Sequence, residues 1–237
     1  MKGNNILKWS LVFVLFFIYL TGFSYLFGSP QFNRQPKINL EEERKAIENG
    51  KDVNEFVQLG KNALMIAAIY GDEEMVDFLL EKGADINSVS LINYETPLFF
   101  AAVNQHKEIV YKLISKGATY NNNFRTYFNE TYLMAFSKCG LVDLVEELLE
   151  KGADINEKNS HNETALNYAI KGGSLELVRF LIDNGVDIKK EVNEEDLFLA
   201  ILSGNCDIVE FLLEKGVNRR NEYYETIIEI TIKNLEF

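Results

Sequence analysis

Leu141 to Asn156 reads LVDLVEELLEKGADIN, and the same stretch recurs with variations along most of the chain: EEMVDFLLEKGADIN over Glu73–Asn87 and LELVRFLIDNGVDIK over Leu175–Lys189. Apolar residues come in pairs, as in Leu141/Val142, Leu144/Val145 and Leu148/Leu149. Their i, i+3, i+4, i+7 spacing puts them on one side of a helix. A glycine ends the helix within each copy (Gly83, Gly152, Gly185), where the first residue past a helix needs a left-handed backbone that glycine adopts without steric cost. One such unit has too little apolar surface to form a core, so the repetition itself is the structural signal.

The helix-ending glycines are Gly50, Gly83, Gly117, Gly152, Gly185 and Gly216, at intervals of 33, 34, 35, 33 and 31. That period is too long for a coiled coil and too short for a domain, and it suits a solenoid. Upstream of each long helix the pattern predicts a shorter one: Asn62–Gly71, Thr96–Gln105, Thr131–Gly140, Thr164–Gly173 and Glu195–Gly204. A leading threonine can cap unpaired N–H groups, and Pro97 suits the first helical position. Ala67, Ala68, Ala101, Ala102, Ala169 and Ala200 allow close approach to neighbouring helices.

With these residues in view, the chain resembles the ankyrin repeat family, whose pattern G-x-TPLHxAAxxGHxEIVxLLLxxGADVN is met most closely by Asn162–Ile188 and Glu95–Ala118. The resemblance implies an all-α solenoid of stacked helix-turn-helix units with β-hairpin fingers, spanning residues 41–237. It implies an N-terminal capping helix in 41–54, repeats at about 55–87, 88–121, 122–156, 157–189 and 190–218, and a C-terminal capping helix at about 226–237. The family's first-helix histidine is replaced throughout, by Met65, Phe99, Met134, Asn167, Phe198 and Glu229, so its usual threonine–histidine bonding is expected to be missing. Gln105 stands where the family has a glycine, and Phe136/Ser137 replace an alanine pair. The finger between Gly117 and Thr131 is the longest, and the link from Gly185 to Glu195 the shortest.

Ahead of the repeats, Trp9–Phe27 (WSLVFVLFFIYLTGFSYLF) is almost continuously apolar, and no charge lies between Lys8 and Arg34. Nineteen helical residues at ~1.5 Å each reach about 28 Å, the hydrocarbon thickness of a bilayer. The expectation is a basic tail at 1–8, one transmembrane helix at 9–27 with Trp9 and Tyr25 at the interfaces, and a linker at 28–40 carrying two of the three prolines. The alternative is a cleaved signal peptide, with Lys2 and Lys8 as the basic start and Gly22/Ser24 near the cut. Lys2 and Lys8 favour repeats on the non-cytoplasmic side, against Arg34, Lys37, Arg44 and Lys45 beyond the span. A secreted or periplasmic location follows from cleavage.

Of the 237 residues, 47% are apolar, which excludes a wholly disordered chain. The formal charge is −12, and the four basic groups of residues 1–40 leave 20 basic against 36 acidic in the remainder. So acidic a surface argues against nucleic acid and anionic lipid as ligands of the repeats, and favours basic protein partners over acidic ones.

No catalytic constellation stands out, and no cofactor, metal or small-molecule substrate is expected. His106 and His161 lack any Cys/His cluster with ligand spacing. Glu146/Glu147/Glu150 and Glu194/Glu195/Asp196 read as solvated faces with ordinary acidity, and Cys139 and Cys206 as free thiols. Asn129-Glu130-Thr131 and Asn162-Glu163-Thr164 match a glycosylation pattern, but the repeat already requires the threonine. Binding remains, since the resemblance implies a concave surface of fingers and first helices that holds protein. The candidate contacts are Phe124, Arg125, Tyr127 and Phe128 on the longest finger, with Tyr94 on the preceding one. On sequence alone, the aromatics either face solvent or fold back over the long finger and Phe136. The two functional readings are a membrane-tethered scaffold that binds a protein, and a secreted inhibitor or effector that masks a basic target.

Overall fold

The computed structural model describes residues 38–192 and 194–217. Both the candidate span at 9–27 and the expected cap at 226–237 lie outside them, and among the described residues no helix is long and apolar enough to cross a membrane. After α1 (Leu40–Glu48) comes a two-stranded hairpin, β1 (Phe56–Gln58) and β2 (Lys61–Asn62). Five helix pairs follow: α2 (Ala63–Tyr70) with α3 (Glu73–Glu81), α4 (Pro97–Val103) with α5 (Lys107–Ser115), α6 (Tyr132–Cys139) with α7 (Val142–Glu150), α8 (Ala165–Gly172) with α9 (Leu175–Asp183), and α11 (Glu194–Leu202) with α12 (Cys206–Glu214). The short α10 (Ile188–Glu191) lies between the last two pairs.

The inner helices α2, α4 and α6 start where the sequence supplies an acceptor. Asn62, Thr96 and Thr131 receive the backbone N–H three residues on at 3.0–3.2 Å. At Thr164 the helix-capping contact is elaborated. Asn167 stands where the family has its histidine, and its Oδ1 accepts from both the backbone N–H (2.7 Å) and the hydroxyl (2.8 Å) of Thr164. Its amide then donates to the Glu191 carbonyl and to the Asp196 carboxylate. The expected loss of bonding at this position is therefore corrected in one repeat, because an asparagine amide offers the same acceptor-plus-donor pair as a neutral imidazole. Asp196 is accordingly buried, against the expectation of a solvated face.

The inner helices α2, α4, α6, α8 and α11 stack in sequence, with the outer helices α3, α5, α7, α9 and α12 behind them. Ala67, Ala68, Ala101, Ala102, Ala135, Ala169 and Ala200 are fully buried, so backbones meet where larger side chains would hold them apart. The tightest approach is at Gly172, where an added Cβ would lie 2.0 Å from the Lys138 carbonyl oxygen. Asparagines tie successive finger bases together: Asn54 accepts from Asp85 N–H at 2.8 Å and Asn87 from Thr119 N–H at 2.9 Å.

In place of the alanine pair, α6 carries Phe136 and Ser137, and an aromatic cluster fills the space above it. Phe124 lies 4.4 Å from Tyr132 and 5.4 Å from Phe99 between ring centroids, while Tyr120 meets Phe136 edge-on at 5.4 Å. The Tyr132 hydroxyl shares a 2.7 Å hydrogen bond with Thr96. Burial and donation to Glu147 push the Tyr120 hydroxyl up to about 12, and burial does the same for Tyr132. Ser137 is fully buried, and its hydroxyl meets no partner among the described residues.

Strand pairing among the described residues is confined to the first finger, where Phe56 faces Asn62 and Gln58 faces Lys61. The three that follow are turns, not the expected β-hairpins. Each is closed by a backbone bond, Ser90 to Glu95, Thr126 to Glu130 and Asn159 to Glu163, which is too little for a ladder. The fifth link, the shortest in sequence, forms the helical turn α10 instead.

Three outcomes test this packing. Phe124→Ala should cost about 2–3 kcal/mol in urea unfolding, whereas Tyr127→Ala should stay within about 0.5 kcal/mol of the parent. Ser137→Ala removes an unpaired buried hydroxyl and should raise stability by about 1 kcal/mol. The neutral forms of Tyr120 and Tyr132 are favoured by folding, so their contribution is complete below the unfolded tyrosine value of about 10 and is lost as pH rises towards 12. The urea midpoint should fall over that window, and Tyr132→Phe should flatten the fall; a parent midpoint constant across it would contradict the assignment.

Candidate functional site

Four fingers project from the stack within residues 52–62, 85–96, 119–131 and 154–164, and their tips are joined by backbone hydrogen bonds. Leu91 N–H donates to the Gly60 carbonyl (3.0 Å), Tyr127 N–H to Asn93 (2.8 Å) and Ser160 N–H to Phe128 (2.8 Å). Adjacent tips are thus fixed relative to one another. Ten large apolar side chains are exposed among the described residues. Eight lie on fingers (Phe56, Leu59, Val89, Leu91, Ile92, Tyr94, Tyr127 and Phe128), and two, Tyr70 and Tyr111, lie on helices. Folding ordinarily buries such groups, so their concentration on one set of loops sets the fingers apart from the rest of the described surface.

Two of these residues carry backbone strain. Tyr94 has φ +61° and Leu59 φ +47°, in the left-handed region where a bulky side chain is disfavoured. Tyr94 occupies the slot that holds glycine in the first finger (Gly60) and asparagine in the third and fourth (Asn129, Asn162), all with positive φ. An aromatic kept there at a conformational cost, and 55% exposed, fits a surface selected for contact.

The expected site residues separate into two groups. Tyr127 (65% exposed) and Phe128 do face solvent; they meet edge-to-face at 5.2 Å, and Phe128 continues onto the His161 ring at 5.4 Å. Phe124 does not. It folds back between Phe99 and Tyr132, because those rings offer an apolar bed beneath the long finger. Arg125 is also structural: Nε and Nη2 fork onto Glu157 at 2.7 and 2.8 Å, and Nη1 donates to the carbonyls of Asn122 and Phe124. That leaves no strong donor for a partner. Leu59, Val89, Leu91 and Ile92 were not anticipated. The signal was present in VSLINY (Val89–Tyr94), a run of apolar residues outside any helical period and inside a finger.

At the finger bases, Glu95, Glu130 and Glu163 each accept from their own finger, from Ser90, Thr126 and Asn159 respectively. Glu130 also receives the Tyr168 hydroxyl, and Glu163 pairs with Lys171. Burial raises Glu95 above the usual carboxylate range, opposed by Lys61. Burial lowers Lys138, with Lys171 adding to the effect. Glu147 is held low by hydrogen bonds from Lys151 and Tyr120, which corrects the expectation of ordinary acidity and moves it away from acid catalysis. The Cys139 thiol is pushed up to about 11 by burial, the wrong direction for a nucleophile. Among the described residues no three His, Cys, Asp or Glu side chains converge as metal ligands. A cleft of about 230 Å³ between the third and fourth finger bases is lined by Asn121–Asn123, Arg125, Asp154 and Glu157, with the Asn122 Oδ1 unpaired at its wall.

Comparison with known proteins agrees with this architecture. The family model for ankyrin repeats in three copies matches residues 41–124, 64–159, 98–192 and 133–222. The chain is similar to a B-cell lymphoma 3 protein homolog of Mus musculus, at 39% identity over 110 residues, covering 46% of this chain and 24% of that protein. It is similar to the human Ankyrin repeat and SOCS box protein 6, at 31% over 115 residues, covering 48% and 27%. A putative ankyrin repeat protein of Fowlpox virus, FPV031, is 29% identical over 122 residues, covering 51% and 36%. The chain thus spans about a quarter to a third of the length of these relatives, and the common ground is the repeat array. With overlapping matches running from residue 41 to 222 and the helix pairs in phase, the chain belongs to the ankyrin repeat family.

Proposed function

We propose that this protein is a non-catalytic binding module that captures a protein partner on its finger tips and is tethered to a membrane through residues 9–27. The observation that carries the binding half is the placement of eight of the ten exposed large apolar side chains on the fingers. Tips already locked by hydrogen bonds lose little freedom on docking, so most of the contact energy appears as affinity. Ankyrin repeat proteins are in general scaffolds, and the buried thiol and paired carboxylates offer no nucleophile–base pair.

Support for the tether is the uncharged apolar run Trp9–Phe27. Lys2 and Lys8 favour repeats on the non-cytoplasmic side. Gly22 and Ser24 support a second reading, a secreted inhibitor released by cleavage.

Serine at Leu91, Ile92 and Tyr127 together should reduce capture of the native partner from solubilised membranes at least ~tenfold, equal to about 1.4 kcal/mol. The urea midpoint should stay close to the parent's, and capture at the parental level would remove the tips as the site. Tyr94→Gly should relieve strain and stabilise the fold by about 1 kcal/mol while weakening capture. Alkaline carbonate should leave the chain in the membrane pellet with its N-terminus intact. A soluble chain beginning near Tyr25 would replace the tether with the secreted reading.

A further inference from the structure

We infer that the occupant of the finger tips is an extended segment of about six residues in which apolar side chains alternate with lysine or arginine. This deepens the proposed binding role and rests on it. The exposed apolar residues lie on three joined tips, which cover two repeat spacings of about 10 Å, roughly 20 Å in all, and an extended chain at ~3.3 Å per residue crosses that in about six residues. In an extended chain alternate side chains share a face, so one set can lie against Leu59, Leu91, Ile92, Tyr94, Tyr127 and Phe128 while the other points to the flanks.

Charge selects the second set. The four fingers hold three lysines and arginines: Arg125 forks onto Glu157, Lys158 reaches Glu191 at 2.9 Å, and Lys61 lies over the Phe100 ring at 5.3 Å. The exposed carboxylates Asp52, Glu55, Asp85 and Asp154 make no ion pair among the described residues. Glu55 adjoins the exposed Phe56, and Asp52, Asp85 and Asp154 stand at the finger bases, so the fingers as a whole carry surplus negative charge, which attracts cations and rejects acidic segments. The same field weighs against a second copy of the chain, since each carries −12.

The test uses the purified full chain and three sets of synthetic peptides of about six residues, with leucine, phenylalanine or tyrosine at alternate positions and lysine, serine or glutamate between them. The lysine set should bind at least ~tenfold more tightly than the glutamate set, and the advantage should shrink severalfold between about 50 and 300 mM salt. Binding should be lost in the Leu91→Ser, Ile92→Ser, Tyr127→Ser chain, whose urea midpoint reports that it still folds. Equal binding of all three sets overturns the charge selection while leaving the tips as the docking surface. Lysine-set binding that survives the triple substitution overturns both. Failure of every set overturns the inference, and self-association that disappears in the variant would then identify a second copy as the occupant.

Discussion

A single helix pair here cannot bury its own apolar face, and everything else follows from that constraint. Leu144, Val145 and Leu148 of α7 reach full burial only because α6 and the flanking pairs close around them. Each interface thus serves two repeats at once, and order spreads from neighbour to neighbour. The buried alanines of the inner row set how near the neighbours come, and that distance brings successive finger tips within hydrogen-bonding range. A loop that would be mobile alone becomes a fixed platform through packing some way beneath it.

Departures from the repeat pattern show what each position tolerates. Phe136 fills the place of an alanine, and the longer finger that precedes it folds Tyr120 and Phe124 over the same space. The same rearrangement leaves Ser137 buried without a partner. Asn167 shows the opposite case: a replacement with equivalent hydrogen-bonding geometry draws Asp196 and the Glu191 carbonyl into a buried polar cluster that binds α8 to α11.

The architecture was legible in the sequence because its signals are local. Helical spacing, threonine caps and the periodic glycines each involve residues a few positions apart, and Gly83, Gly117, Gly152 and Gly185 all take the left-handed conformation that the pattern demanded. The site was legible only in part. Tyr127 and Phe128 were found because an aromatic pair in a long loop is conspicuous. Nothing local to Arg125 betrays its fork onto Glu157, which lies on the next finger, 32 residues away. Phe124 has the same chemistry as Phe128 and the opposite fate, and only the position of the Phe99 and Tyr132 rings decides between them. Leu91 and Ile92 escaped notice because a pair of aliphatics in a loop resembles core sequence until the backbone shows that nothing covers them.

The turn α10, which stands where a fifth finger would, changes what the array can distinguish. A strictly periodic surface would let a partner slip by one repeat and lose only its end contacts. Here the first finger carries two exposed apolar side chains, the second four, the third two and the fourth none, so the row has ended before the chain reaches Ile188. A displaced partner would set its anchors against asparagines or the lysines of α10. For a partner docked on the tips, unequal fingers would thus turn a repetitive scaffold into an address with one register and one direction.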